Sequence, residues 1–427
     1  MEGEPDMDKK LTAIVIGAGD RGRAYSKAMK NMEGKYQVVA VAEPRDACRS
    51  YLKELFDIPE DRCFESWEPL LALGKIADIA VIATMDRLHL APALAATKLG
   101  YDILLEKPVA PTPEECESLA RCSEEAGNRI LVCHVLRYTP FFRRVKELLT
   151  SGIIGRVISV DHKECVEVIH QSHSFVRGNW GNSGRASCML LQKSCHDLDI
   201  LQWLLDKDCV KIQSFGSLSY FKERNAPEGA PERCIDGCPH GEKCRFNAVM
   251  LYLDDKKNLW FRNACTGMVD PSDACVEEAL RRTQYGKCVF RCDNDVVDHQ
   301  TVNMLFEDDI TVTFSMCAFN KGGRYIHIMG TEGELFGSMN GKGEPIRVSL
   351  FGEPEDRLIP VTGREGGHGG GDEGILEALY EYLNGTYQGF SVSDIRTSVN
   401  NHHLVFAAEQ SRKTGTVVDI RKFIAEL

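Results

Sequence analysis

Ile14-Val15-Ile16-Gly17-Ala18-Gly19-Asp20-Arg21-Gly22 decides the fold. An apolar run ends in GxGxxG, and the residues that follow take up a helical pattern. Gly17 permits the tight turn, Gly19 lets a pyrophosphate approach the backbone, and Gly22 lets helix and strand pack closely. The helix opening here offers free N–H groups and a positive dipole end to phosphates. Ala18, Asp20 and Arg21 therefore join the glycines in the expected cofactor loop. Residues 37–42 read as the next strand, and Glu43 ends it, 21 residues after Gly22. A carboxylate at that position accepts hydrogen bonds from both adenosine ribose hydroxyls and repels a 2′-phosphate, which predicts NAD over NADP. Arg45 has two open readings: a partner for a 2′-phosphate, or a plate stacked on adenine.

Outward from this turn, helix patterns at 46–56, 90–99 and 112–126 alternate with apolar runs at 78–83, 101–105 and 129–133. That alternation predicts a doubly wound parallel sheet, a Rossmann domain over residues 11–134. Past residue 135 it stops. Helices are expected at 141–150 and 186–205, period-2 segments at 157–168, 210–220, 296–306, 310–316 and 325–329, and closing helices at 373–383 and 391–412. This predicts an α+β domain over 135–427 with a large, mainly antiparallel open sheet, its last helices free to pack back on the first domain. Residues 1–10, acidic and polar, are expected to be disordered and form neither signal nor transit peptide.

The 427 residues suit two domains, and the 43% apolar fraction is that of a globular protein. A net charge of -12 argues against nucleic-acid and anionic-membrane partners. No apolar stretch approaches the roughly 20 residues that cross a bilayer. Seventeen cysteines, an odd number in a long chain, read as reduced thiols in a cytoplasmic protein.

Lys107, in Leu105-Glu106-Lys107-Pro108, ends a strand at the carboxyl edge, where open α/β sheets bind ligands. It reads as a group that hydrogen-bonds a substrate hydroxyl or as a solvated surface lysine; spacing alone leaves both open. Several motifs together resemble the Gfo/Idh/MocA oxidoreductase family. They are the glycine turn, Val81-Ile82-Ala83-Thr84 with His89 five residues on, Glu106-Lys107-Pro108, Arg137-Tyr138-x-Pro140, and a later helix bearing His196, Asp199 and Trp203. The resemblance implies NAD(P)-dependent oxidation or reduction of sugars, polyols or glycosides, and a homo-oligomer (dimer or tetramer) joined through the open sheet. It implies that Lys107 and His196 are catalytic, that Thr84, His89 and Glu106 line the cofactor side, and that Arg137 and Tyr138 line the substrate cleft. The family commonly carries Asp four residues before its His; here that slot is Gln192, followed by Lys193, which would share a helix face with His196 and act on its charge. Two other readings are kept: a glycosidase or lyase that retains NAD through an internal redox cycle, and a non-catalytic sensor of NAD or sugar.

Three further features stand outside that set. Cys234-x3-Cys238-x5-Cys244, with His240 between, offers thiolates for a structural zinc within the loop 223–243. Cys288-x3-Cys292 alone makes no site. His368 in the glycine-rich loop 363–374 is placed to reach the cleft, with Asp372 expected to cap the next helix. Arg177, Asn179 and Trp180 form a candidate sugar-binding set.

Overall fold

The computed structural model describes residues 10–340, 343–363, 366–389 and 392–427. Residues 1–9, most of the segment expected to be disordered, lie outside the described residues, as do 364–365 of the glycine-rich loop.

Six strands make the first sheet: β1 Leu11–Ile16, β2 Tyr36–Ala42, β3 Cys63–Phe64, β4 Ile79–Ile82, β5 Asp102–Leu105 and β6 Ile130–Val132. Their order, β3-β2-β1-β4-β5-β6, reverses direction beside β1. Strands this apolar survive only with both faces covered, and two separate cores do this, one on each face. The register brings the carboxyl ends level: Ile16 pairs with Ile82, Ile82 with Leu105, and Leu105 with Val132. Gly17, Ala83, Glu106 and Cys133 consequently leave the sheet side by side, each N–H bonded to the neighbouring strand at 2.8–2.9 Å.

Nine strands make the second sheet: β7 Val157–Cys165, β8 Cys209–Ser217, β9 His299–Phe306, β10 Thr311–Cys317, β11 Gly323–Gly330, β12 Gly333–Met339, β13 Ile346–Leu350, β14 Arg357–Ile359 and β15 Val418–Asp419. The order is β14-β13-β12-β11-β7-β10-β9-β8-β15; only β7 and β10 run parallel. Alternation in β9 and β10 buries Val302, Met304, Val312 and Phe314 on one face and exposes the other.

Helix Gly371–Leu383 sends Ile375, Leu376 and Leu379 into the core of the first sheet, and Ile395 and Val399 enter its opposite face. The backbone of Ser393 and Asp394 pairs along β6, so the edge of that sheet is covered.

Two expectations need correction. The helix expected over 186–205 is two, Met189–Gln192 and Cys195–Leu205, broken at Lys193 and Ser194. Asp372 caps nothing: the helix starts from Gly370, and Asp372 lies in its first turn with its carboxylate taken by Arg21 and His368. The loop 223–243 belongs to a longer segment between β8 and β9. That segment carries helices Leu259–Thr266 and Asp273–Arg282 and encloses two small cores rich in aromatic rings.

Candidate active site

At the phosphate loop the glycines meet their expected constraints. Gly17 sits at φ +89, and a Cβ there would lie 2.6 Å from the Ala83 carbonyl oxygen; one on Gly22 would lie 2.0 Å from that of Gly17. Gly19 faces open space apart from the tip of Arg45. Helix Asp20–Asn31 begins without a side-chain cap, so its first N–H groups are free for phosphate oxygens. Glu43 is buried and accepts from the Ala18 N–H at 2.8 Å and from Arg45 Nε at 2.7 Å. Burial pulls its pKa up, but Arg45 and two backbone N–H groups outweigh this and hold it below the usual carboxylate value. These residues fit a dinucleotide: glycine backbone and helix end for the pyrophosphate, Glu43 for the ribose.

The neighbouring carboxyl ends carry the rest of the cleft. Lys107 Nζ donates to the main-chain oxygen of Gln192 at 2.6 Å, spanning from β5 to the second domain. His89 is buried with its ring nitrogens at 2.6 Å from the Pro108 oxygen and 3.1 Å from that of Thr84, tying together the loops after β4 and β5. Glu106 accepts from Arg21 Nε at 2.8 Å and from the Tyr25 hydroxyl at 2.7 Å. Arg21 also grips Asp372 at 2.7 and 3.0 Å, and Asp372 holds His368 Nδ1 at 3.0 Å. Glu106, Arg21, Asp372 and His368 thus form one polar chain from the phosphate loop to the cleft.

His196 is buried on helix Cys195–Leu205, its ring centroid 5.8 Å from His134 and 6.3 Å from His368. Burial, then the Lys107 charge and the two histidines, hold its pKa well below the ordinary imidazole value. The ring is therefore neutral near pH 7 and able to take a proton. Lys193 lies 3.4 Å from Glu164, which also pairs with Arg324, itself 2.8 Å from Asp197. Burial lowers the Lys193 pKa while Glu164 opposes the shift. The break in the helix takes its ammonium into this carboxylate cluster, away from the shared face expected with His196.

Other expected residues are engaged by partners within the protein. Arg137 makes a buried bidentate pair with Asp199 at 2.7 Å, and the Tyr138 hydroxyl bonds to Ser393. The Gln192 amide donates to the Trp180 and Ser187 carbonyls. The Trp180 indole N–H goes to Asp86 at 3.1 Å, across to the first domain. Arg177 is buried and bonded to the backbone oxygens of Lys287 and Phe246.

Sequence reasoning missed His134, Glu164, Arg324, His170 and Trp260. His162 and Glu164 occupy inward slots of β7, and polar residues on the buried side of an alternating strand were the available signal. Trp260, 41% exposed, stands 5.1 Å from His170, whose electrostatic neighbours include Lys193 and His368; no local pattern marks it. Among the described residues no helix is long and apolar enough to cross a membrane.

The description "Oxidoreductase family, NAD-binding Rossmann fold" matches residues 11–134, and "Oxidoreductase family, C-terminal alpha/beta domain" matches 146–420. YteT of Bacillus subtilis (strain 168), named as an oxidoreductase, is 25% identical over 86% of this chain and 88% of its own. Inositol 2-dehydrogenase of Serratia proteamaculans (strain 568) is 26% identical over 48% of this chain, which spans 57% of that enzyme. The fold matches an inositol dehydrogenase homolog complexed with NAD+ from Azotobacter vinelandii with TM-score 0.70 at 14% identity, covering 98% of this chain and 100% of the other.

Proposed function

The chain belongs to the Gfo/Idh/MocA oxidoreductase family, and from that premise we propose that it is an NAD-dependent dehydrogenase acting on a secondary hydroxyl carbon of a sugar, polyol or glycoside. The observation that carries the reading is the placement of Lys107 at the carboxyl end of the first sheet, bonded to the Gln192 carbonyl four residues before His196, so that its charge acts on that buried, neutral ring. NAD, when bound, supplies a hydride acceptor. Neutral His196 takes the hydroxyl proton, and the Lys107 ammonium stabilises the alkoxide that develops. Lys107 is held ready by the Gln192 carbonyl, while Lys193 is paired with Glu164. His368 and Trp180 flank the cleft, and Trp260 offers an indole face on which a sugar ring stacks. The ion pair of Glu43 with Arg45 neutralises the guanidinium that a 2′-phosphate would need, which supports NAD over NADP. Seventeen unpaired thiols fit a reducing cytoplasm, where we place the enzyme, and the exposed face of the second sheet is the surface through which we expect copies to pair.

Mixing the purified protein with NAD and a panel of inositols, aldoses and glycosides tests this by NADH absorbance. Turnover with at least one is expected; none, in protein shown to bind NAD, refutes it.

One observation favours a second reading in which NAD stays bound and the net reaction is elimination or hydration. Gly267, from the segment between β8 and β9, touches the adenosine end: Cys48 Sγ donates to its oxygen at 3.7 Å, and Val269 packs on the first core. A strap there slows cofactor release. Protein that carries NAD through purification, forms no free NADH and incorporates solvent deuterium into product would favour this reading.

A further inference from the structure

The segment between β8 and β9 gathers four cysteines that the sequence scatters. Cys234, Cys238, Cys244 and Cys288 all line one cavity, with His240 at its rim and Arg177 in its wall. Its central void is 20 Å³, room for one ion or water and too little for an organic ligand. Backbone pairing brings the distant member in. Arg233 bridges Lys287 in antiparallel fashion, the Cys234 N–H donates to the Gly286 oxygen at 3.0 Å, and the Cys288 N–H donates to that of Glu232 at 2.9 Å. Cys234 and Cys288 are therefore diagonal neighbours on one face of the pair. Tight turns at Cys238–Gly241 and His240–Cys244 fold the other two back toward them.

Arg177 supplies an independent sign. Only 1% exposed, it donates to the oxygens of Lys287 and Phe246 and reaches Cys234 Sγ at 3.6 Å. Its Nη1 has no partner, and among the described residues no carboxylate pairs with it. A guanidinium buried without a counter-charge is strongly unfavourable. Metal-bound cysteines would supply the missing negative charge, since a coordinating thiol is deprotonated.

We propose that Cys234, Cys238, Cys244 and Cys288 bind one zinc ion as a tetrathiolate centre, with Arg177 as its buried counter-cation. Four S–H protons leave as four Zn–S bonds form, and the centre's net charge of two minus faces the guanidinium. As their side chains stand, no group of three His, Cys, Asp or Glu among the described residues is arranged to hold a metal ion, so binding requires the four thiols that line the cavity to turn inward together. The fourth ligand is Cys288: His240 Nε2 is engaged by the Glu228 oxygen at 2.7 Å, and Cys292 Sγ turns to the Cys288 oxygen. The ion pins the unit that carries Trp260 to the cleft and Gly267 to the adenosine end.

The test is elemental analysis of the full chain purified without chelator, after incubation with zinc. About one zinc per chain is expected, and cobalt exchange should give intense thiolate-to-cobalt charge-transfer absorption. Cys288→Ser should lose most of the metal, and Cys292→Ser should keep it. Wild-type protein that binds no zinc, a cobalt spectrum without thiolate bands, iron with sulfide in place of zinc, or Cys288→Ser with unchanged stoichiometry and spectrum would each overturn the proposal. The wild-type cobalt spectrum decides the matter if the variant fails to fold.

Discussion

Lys107 and Gln192, 85 residues apart, meet through a side chain and a main chain: the ammonium donates to the Gln192 carbonyl oxygen at 2.6 Å. Gln192 is the last residue of its short helix, so its carbonyl is one of those that a helix end leaves without an internal partner. The lysine fills that vacancy, and its position depends on the helix break rather than on which side chain occupies residue 192.

Lys107→Met is expected to lower kcat by about 10²–10⁴ while NAD affinity changes little, because general acid–base groups contribute on that order. Gln192→Ala leaves the carbonyl in place and should cost less than about tenfold, with a loss of roughly 1 kcal/mol in stability from its two amide bonds. Steady-state rates, NAD titration by tryptophan fluorescence and denaturant melts separate the two effects.

Glu43→Ser frees Arg45 from its ion pair and removes the carboxylate facing the ribose. The NAD-to-NADP ratio of kcat/KM should fall by about tenfold or more, since the change trades two hydrogen bonds for an available guanidinium. An unchanged ratio would place the ribose elsewhere.

Burial, with the Arg137 and Lys107 charges adding to it and Asp199 opposing, holds the His134 pKa near 4. The unfolded chain protonates near 6.5 and the folded one does not, so unfolding takes up protons between those values. Stability is therefore full above about pH 6.5 and falls as pH drops toward 4, by up to about 3 kcal/mol for this residue. Urea melts at pH 7.5 and 5 should show the loss, and His134→Gln should flatten it.

Asp372→Asn breaks the pair that joins Arg21 of the first domain to the helix Gly371–Leu383. Asp372 is nearly buried and Arg21 a quarter exposed, so a cost of about 3 kcal/mol is expected, the low end for a buried pair. Arg21 and His368 hold the Asp372 carboxyl well below its usual range, against burial; that stability is present above pH 4 and lost in stronger acid. Thermal melts at pH 7 and pH 3 check both: the gap between wild type and variant should narrow at the lower pH.

Much of the first domain was legible in the chain. Helix Asp46–Phe56 matches its expected bounds, and β1, β2, β4, β5 and β6 fall within two residues of theirs. Their signals are local: apolar runs, turn glycines and caps act over a few residues. The two-residue β3 and the strands β12 to β15 escaped because short or half-exposed strands carry little periodicity.

Sequence by itself determined that a dinucleotide fold opens the chain, because the Gly17 and Gly22 contacts leave no room for a Cβ and the pattern announces it. It also marked Lys107, Glu43 and His368 as candidates. Only the tertiary structure decided what surrounds them: the His134–His196–His368 group, the Arg21–Asp372 pair and the Lys107–Gln192 contact. It also carried Cys288 to the other three cysteines. These groupings join residues from tens to hundreds of positions apart, where register and helix breaks set distance, and no periodic pattern records which side chains a fold will bring face to face.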